Sequence, residues 1–287
     1  VDHCKLHEIS LSTSEYADAE AFLRNYRKLK QISLDVANCS KVLPCLEGSE
    51  SLKELTITVS EIEVIADDDL AALCKFASAT DISSIVANFL NKRLVQSLVL
   101  RKSLSQLYLF DSSIIAQDLI QAITGLPLLN RVSLNCISLD PESSWPTVCS
   151  SIPSAIRELE IDFPMKTVQP LLKMELLHLL KLPVLQELIW GVHIRYTDLE
   201  IELIRQALKS NRSLESVAFW GTDFTDDTLL SFVADSSARI SWQFYGSQVS
   251  LEFHPSIQRN LVMWDRARWT TFSLLFVRKW RSSVLNS

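Results

Sequence analysis

Apolar residues return along this chain in triplets spaced Leu-x-x-Leu-x-Leu. The triplets read Leu29–Ile32–Leu34, Leu52–Leu55–Ile57, Val95–Leu98–Leu100, Leu104–Leu107–Leu109, Leu129–Val132–Leu134, Ile156–Leu159–Ile161, Leu185–Leu188–Trp190 and Leu214–Val217–Phe219. A degenerate copy, Ile240–Trp242–Phe244, follows. The last two positions of each triplet are two residues apart, the spacing that puts them on one face of a strand. Self-similarity at this scale predicts a solenoid, in which each unit buries its apolar face against its neighbours. First anchors lie 23, 43, 9, 25, 27, 29 and 29 residues apart, and a unit of 23–29 residues holds a strand, a turn, a helix and a return loop.

The helix is legible in the second half. Ile201, Ile204, Ala207 and Leu208 fall on one helical face behind Thr197-Asp198, whose side chains suit an N-cap. Thr225-Asp226-Asp227 opens the same plan for Leu229, Leu230 and Val233, and Ile115–Ile123 closes at Gly125 and Pro127. The 43-residue interval reads as two helices, about 68–76 and 81–91, with one strand lost or diverged. The 9-residue interval sets two strand-like runs, Val95–Leu100 and Leu104–Leu109, nearly back to back, as a local hairpin or as a unit in which a short loop replaces the helix. Residues 139–154, with Pro141, Pro146 and Pro153, predict irregular chain.

Both ends leave the pattern. Tyr16, Ala19, Phe22, Leu23 and Tyr26 make a helical stripe, and residues 256–285 read as a long helix carrying Trp264, Trp269, Phe272, Phe276 and Trp280. Terminal repeats need lids over their cores, so residues 1–28 and 251–287 are expected as helical caps around a solenoid at 29–250.

Composition narrows the function. Apolar residues make up 47% of the chain, enough for a large core. The five glycines form no cluster, which argues against a phosphate-cradling loop; no cofactor is expected. Six cysteines without a CxxC pair read as small buried hydrophobes in a reducing compartment, cytoplasmic or nuclear. No signal peptide opens the sequence, and Val1 in place of Met reads as a fragment or a processed form.

The segment Ala207-Leu208-Lys209-Ser210-Asn211-Arg212-Ser213-Leu214-Glu215-Ser216-Val217-Ala218-Phe219, with the following Thr222-Asp223-Phe224-Thr225-Asp226-Asp227, resembles the helix-to-strand and strand-to-helix junctions of leucine-rich repeats of the ribonuclease-inhibitor type. The resemblance spans about residues 25–250 and departs from that type in unit length and in lacking an asparagine after most strands. It implies an α/β leucine-rich repeat solenoid: a curved parallel sheet on the concave side, with helices outside. It also implies a non-catalytic module that binds a partner protein. Ubiquitin-ligase adaptors and GTPase activators are regulatory members of the same family.

The sequence holds no HExxH, GxSxG or Walker-type motif. His3-Cys4-x-x-His7 offers three possible ligands but not the four a structural zinc needs, so no metal site is expected. Asp67-Asp68-Asp69 reads as carboxylates opposing a helix dipole.

Strand alternation instead points to a surface. Where the Leu positions face the core, the residues between them line the other face in rows. One row holds Gln31, Glu54, Gln106, Arg131, Glu158, Glu187 and Ser216; the next holds Ser33, Thr56, Tyr108, Ser133, Glu160, Ile189 and Ala218; the third holds Asp35, Thr58, Phe110, Asn135, Asp162, Gly191 and Trp220. Glu158, Glu160, Asp162 and Glu187 then converge as an acidic patch suited to a basic partner, flanked by the rings of Tyr108, Phe110 and Trp220, with Arg131 alongside. Charge is uneven along the chain: residues 256–287 carry +5 (Arg259, Arg266, Arg268, Arg278, Lys279 and Arg281 against Asp265), within a whole of −6. Such a basic, Trp-bearing tail is expected to dock on its own acidic body. Contact with an anionic membrane is the alternative, and nucleic acid is not expected.

Overall fold

In the computed structural model the anchors of the triplets become continuous buried ladders, because every strand pairs in parallel with the next at matched register. The described residues are 8–11, 23, 28–59, 65–139, 145–162, 173–192, 194–220, 224–225, 228, 231–232, 240–245 and 261–263. Among them, eleven strands build one sheet in chain order. These are β1 (Glu8–Leu11), β2 (Gln31–Asp35), β3 (Glu54–Thr58), β4 (Ser84–Ala87), β5 (Gln106–Phe110), β7 (Arg131–Asn135), β9 (Glu158–Asp162), β10 (Glu187–Gly191), β11 (Ser216–Trp220), β12 (Ser241–Tyr245) and β13 (Leu261–Met263). Two short strands, β6 (Ser113–Ile114) and β8 (Ser138–Leu139), form a separate parallel pair where the chain leaves β5 and β7.

The central ladder runs Ile32, Leu55, Ile85, Leu107, Val132, Leu159, Leu188, Val217 and Trp242, each no more than 2% exposed. Burying a side chain of this size contributes about 1.5–3 kcal/mol, so the ladder supplies a stabilising contact at every unit boundary. The helices form a second layer in chain order: α1 (Cys39–Val42), α2 (Asp67–Ala79), α3 (Lys92–Arg101), α4 (Ala116–Gly125), α5 (Trp145–Ser150), α6 (Lys173–Leu179) and α7 (Asp198–Ser210), each packing on the next. No described helix is long and apolar enough to cross a membrane.

Backbone polarity is satisfied by a device repeated from unit to unit. The carbonyl just before a strand accepts two consecutive amides from the following unit, at 2.7–3.1 Å. Lys30, Lys53, Ser83, Ser105, Asn130, Arg157 and Gln186 all do this, and Glu215 accepts from Ser241. A carbonyl has two lone pairs, so one oxygen serves both amides at the junction. Asn211, at the end of α7, ties two units together with its side chain. Its Nδ2 donates to the carbonyls of Leu180 and Leu182, and its Oδ1 accepts from the Ser213 and Leu214 amides. At the start of α7, Thr197 and Glu200 form the reciprocal capping box.

Two expectations near the middle are corrected. Residues 81–91 hold strand β4 rather than a helix, and Val95–Leu100 belongs to helix α3 rather than to a strand. Asn91 caps α3 by accepting from the Leu94 amide at 3.0 Å, Lys102 ends it at φ 58°, and Leu94, Val95 and Leu98 are buried. Leu100, the third member of the supposed triplet, is 76% exposed. The i,i+3 spacing of Val95 and Leu98 fits a helix as well as a strand, and only the fate of i+5 separates the two. The true unit is Ile82–Ile85–Ala87, disguised by its small third anchor. First anchors then recur every 22–30 residues from Leu29 to Ile240.

Irregular chain was expected throughout 139–154, yet Trp145–Ser150 is helical. Pro146 sits in its first turn, where an amide would have no partner to lose. Toward both ends the sheet continues into segments read as caps. Glu8–Leu11 pairs with β2, and Leu261–Met263, expected within a long helix, is a strand paired with β12. Of the N-terminal helical stripe only Leu23, buried and helical, is described; the rest, and residues 264–287, lie outside the described residues.

Aromatic side chains take over the core toward the C-terminal units. Trp190 occupies a Leu position with its Nε1 donating to Tyr196 Oη at 3.2 Å, and Phe219 packs on Phe224, Phe232 and Trp242.

Leu159→Ala is expected to cost about 2–5 kcal/mol in urea unfolding, whereas Leu100→Ala stays within about 0.5 kcal/mol. Were Val95–Leu100 a core strand, the two losses would be alike. Asn211→Ala is expected to lower stability by about 1–3 kcal/mol, since it strips partners from two carbonyls and two amides at once. A thermal melt unchanged by that substitution would show that water replaces them.

Candidate recognition face

Register brings the predicted rows together as read. Arg131, Glu158, Glu187 and Ser216 are consecutive cross-strand neighbours; so are Ser133, Glu160, Ile189 and Ala218; so are Asn135, Asp162 and Gly191. Strands stand about 4.8 Å apart, so Glu158, Glu160, Asp162 and Glu187 sit on two adjoining strands. Tyr108 and Phe110 lie two strands to one side and Trp220 one strand to the other. Strand β4, which the sequence reading lacked, adds Ser84 and Val86 to the first two rows; the Ile82–Ile85–Ala87 triplet is the signal that locates them.

The patch differs from four solvated carboxylates. Glu158 is bridged to Arg131 at 2.8 Å, both side chains about one-third exposed. The same guanidinium lies over the Tyr108 ring, 5.2 Å from its centre, and the Tyr108 hydroxyl donates to Gln106 Oε1 at 3.1 Å. Glu160 is buried at 8% exposure, and its Oε2 accepts from Ser133 Oγ at 2.8 Å. Phe110 and Trp220, expected as open rings, are half-buried.

Burial sets the electrostatics here. Desolvation pushes the Glu160 carboxyl above its ordinary range, with the Ser133 hydrogen bond and the Arg131 charge acting the other way. Glu187 is also raised, first by desolvation and then by the charge of Glu158. The Tyr108 phenol is raised chiefly by burial, with Arg131 opposing. Asp162 lies close against the backbone of Gly191 on the next strand: a Cβ added there would stand 2.7 Å from the Asp162 Cγ. Glycine therefore permits this carboxylate its place on the face.

An open groove of about 750 Å³ lies at the loops that precede β9, β10 and β11, lined by Arg157, Val184, Arg212 and Glu215 among others. Among the described residues no group of three or more His, Cys, Asp or Glu side chains is placed to hold a metal ion, and His3, Cys4 and His7 lie outside them. Asp67, Asp68 and Asp69 occupy the first turn of α2, and Asp69 accepts from the Ser40 amide at 2.8 Å. Cys39 and Cys149 are buried and unpaired, their thiols pushed up to about 12, chiefly by burial.

The chain matches no protein-family model and no curated protein. Among solved structures it is similar to an internalin from Listeria monocytogenes strain 4b F2365, at 14% identity and a TM-score of 0.42, with 80% of this chain and 70% of that chain covered.

A carboxyl whose proton affinity is higher in the folded state than in the unfolded chain favours folding at low pH. Its effect is fully present below the ordinary glutamate range and is lost as pH rises through the elevated folded value. Glu160→Gln is thus expected to flatten the decline of stability above the ordinary glutamate range and to leave neutral-pH stability equal or higher, measured by urea unfolding across pH 4–8. A large loss of stability at neutral pH would mean that the ionised carboxylate is an essential structural partner.

Proposed function

We propose that this chain is a non-catalytic protein-interaction module, a leucine-rich repeat solenoid of the ribonuclease-inhibitor type. In this reading the sheet is curved, the helices lie outside, and a partner protein is recognised across the concave face. The observation that carries the reading is the in-register face itself. Three rows of non-anchor side chains stand on strands whose other face is a sealed aliphatic ladder, so their positions are fixed before any partner arrives. Preorganisation of that kind lowers the ordering cost of association. The contact residues are Tyr108, Phe110, Arg131, Glu158, Glu160, Asp162, Glu187 and Trp220. Ser84 Oγ and Glu160 Oε1 are both buried on this face without a hydrogen-bond partner among the described residues, which supports a surface completed by something else. The unpaired cysteines fit a reducing compartment, cytoplasmic in this reading.

Quantitative capture from native lysate tests the proposal at exposed Glu187 and half-buried Trp220, since reversing buried Glu160 would confound binding with folding. Glu187→Lys and Trp220→Ala are expected to weaken retention of a saturable partner by at least about tenfold, with circular dichroism unchanged. Leu199→Ala, on the helix layer and 72% exposed, is expected to leave retention intact. The reverse pattern would move the binding surface to the helices and overturn the reading.

A further inference from the structure

This inference rests on the reading just given and names the chemistry of its central contact. A cluster of carboxylates on a surface is ordinarily solvated and says nothing about a ligand. Glu160 is different, because it stands at the middle of the cluster yet is more than nine-tenths buried. One of its oxygens is satisfied by Ser133; the other, Oε1, is sealed from solvent and meets no donor among the described residues. Buried polar atoms nearly always have partners, and one kept without a donor amid like charges is poised to receive one.

The surroundings define what that donor must be. Tyr108 on β5, Arg131 on β7, Glu158 and Asp162 on β9 and Glu187 on β10 are the titratable or charged groups on the strands around it. Arg131 is the one cation in this set, and its guanidinium is already engaged by Glu158 and by the Tyr108 ring. Three glutamates therefore share a single positive charge that is committed elsewhere. A neutral amide or hydroxyl would satisfy Oε1 but leave the excess negative charge; a cation that donates hydrogen bonds does both. The oxygen is covered in the free protein, so the incoming group must displace side chains and sit at the end of a long, slender stem.

We propose that Glu160, flanked by Glu158 and Glu187, is the receptor for one lysine or arginine side chain of the partner protein. Burial raises the proton affinity of this carboxyl while the site is empty, and the arriving cation favours the ionised form, so occupancy and proton affinity are coupled.

The test uses the full chain labelled with ¹³C at glutamate side-chain carboxyls, the Glu160 resonance assigned by its absence in Glu160→Gln. The probes are the blocked tripeptides acetyl-Gly-Lys-Gly-amide, acetyl-Gly-Arg-Gly-amide and acetyl-Gly-norleucine-Gly-amide. At least one cationic peptide is expected to shift the Glu160 carboxyl saturably and to lower its titration midpoint, while the norleucine peptide does neither. Glu160→Gln is expected to weaken binding of that peptide by about tenfold or more, with near-ultraviolet circular dichroism confirming the fold. Equal responses to cationic and norleucine peptides, no response to either cationic peptide, or undiminished binding by Glu160→Gln would overturn the proposal. In lysate capture, a partner lost on Glu187→Lys but retained by Glu160→Gln would refute this receptor and leave the recognition face standing. Retention by both variants would refute the face as well.

Discussion

One carbonyl oxygen at each unit boundary governs the molecule. By accepting two successive amides from the next unit, it locks where each new strand begins relative to the last, from Lys30 through Gln186. A slip of one residue would turn the anchors outward and bury the charged rows. The aliphatic ladder and the polar face are therefore two results of a single alignment, and neither is stable without the other. The variable lengths of the connecting segments are absorbed in the helix layer, so the sheet keeps its regular rhythm while the units differ.

That alignment also explains why the polar face is electrostatically uneven. Parallel register places Glu158 beside Glu187 and beside Arg131, and Glu160 beside Ser133 and Ile189. A row neighbour cannot move away along the strand, so like charges that meet must be paired, neutralised or shielded. Glu158 is paired with Arg131, while burial raises the proton affinity of Glu160, and Glu187 is raised first by desolvation and then by the Glu158 charge. The chemistry of the face is set by adjacency imposed through the backbone.

Much of this was readable from spacing alone, because an anchor triplet reports both strand and facing direction. Residues 104–134 and 156–219 follow the predicted rows position for position. Failure came where a helix imitates the triplet. Val95, Leu98 and Leu100 satisfy the pattern, but α3 turns Leu100 to solvent, while the true strand at Ser84–Ala87 hides behind an alanine anchor. Side-chain state was less legible than position. Nothing in the sequence distinguishes the ion-paired Glu158 from the buried Glu160 two residues on, since burial depends on Ser133 and Ile189, 27 and 29 residues away. The half-burial of Phe110 and Trp220 was invisible for the same reason.

The shift from aliphatic to aromatic anchors at Trp190, Phe219 and Trp242 has a mechanical meaning. Phe219, Phe224, Phe232 and Trp242 meet at stacked and edge-on angles, so these units are joined by oriented ring contacts as well as by burial. Ring pairs favour particular geometries and contribute about 0.5–1.5 kcal/mol beyond the area they bury, a coupling between neighbouring units that an all-leucine ladder lacks.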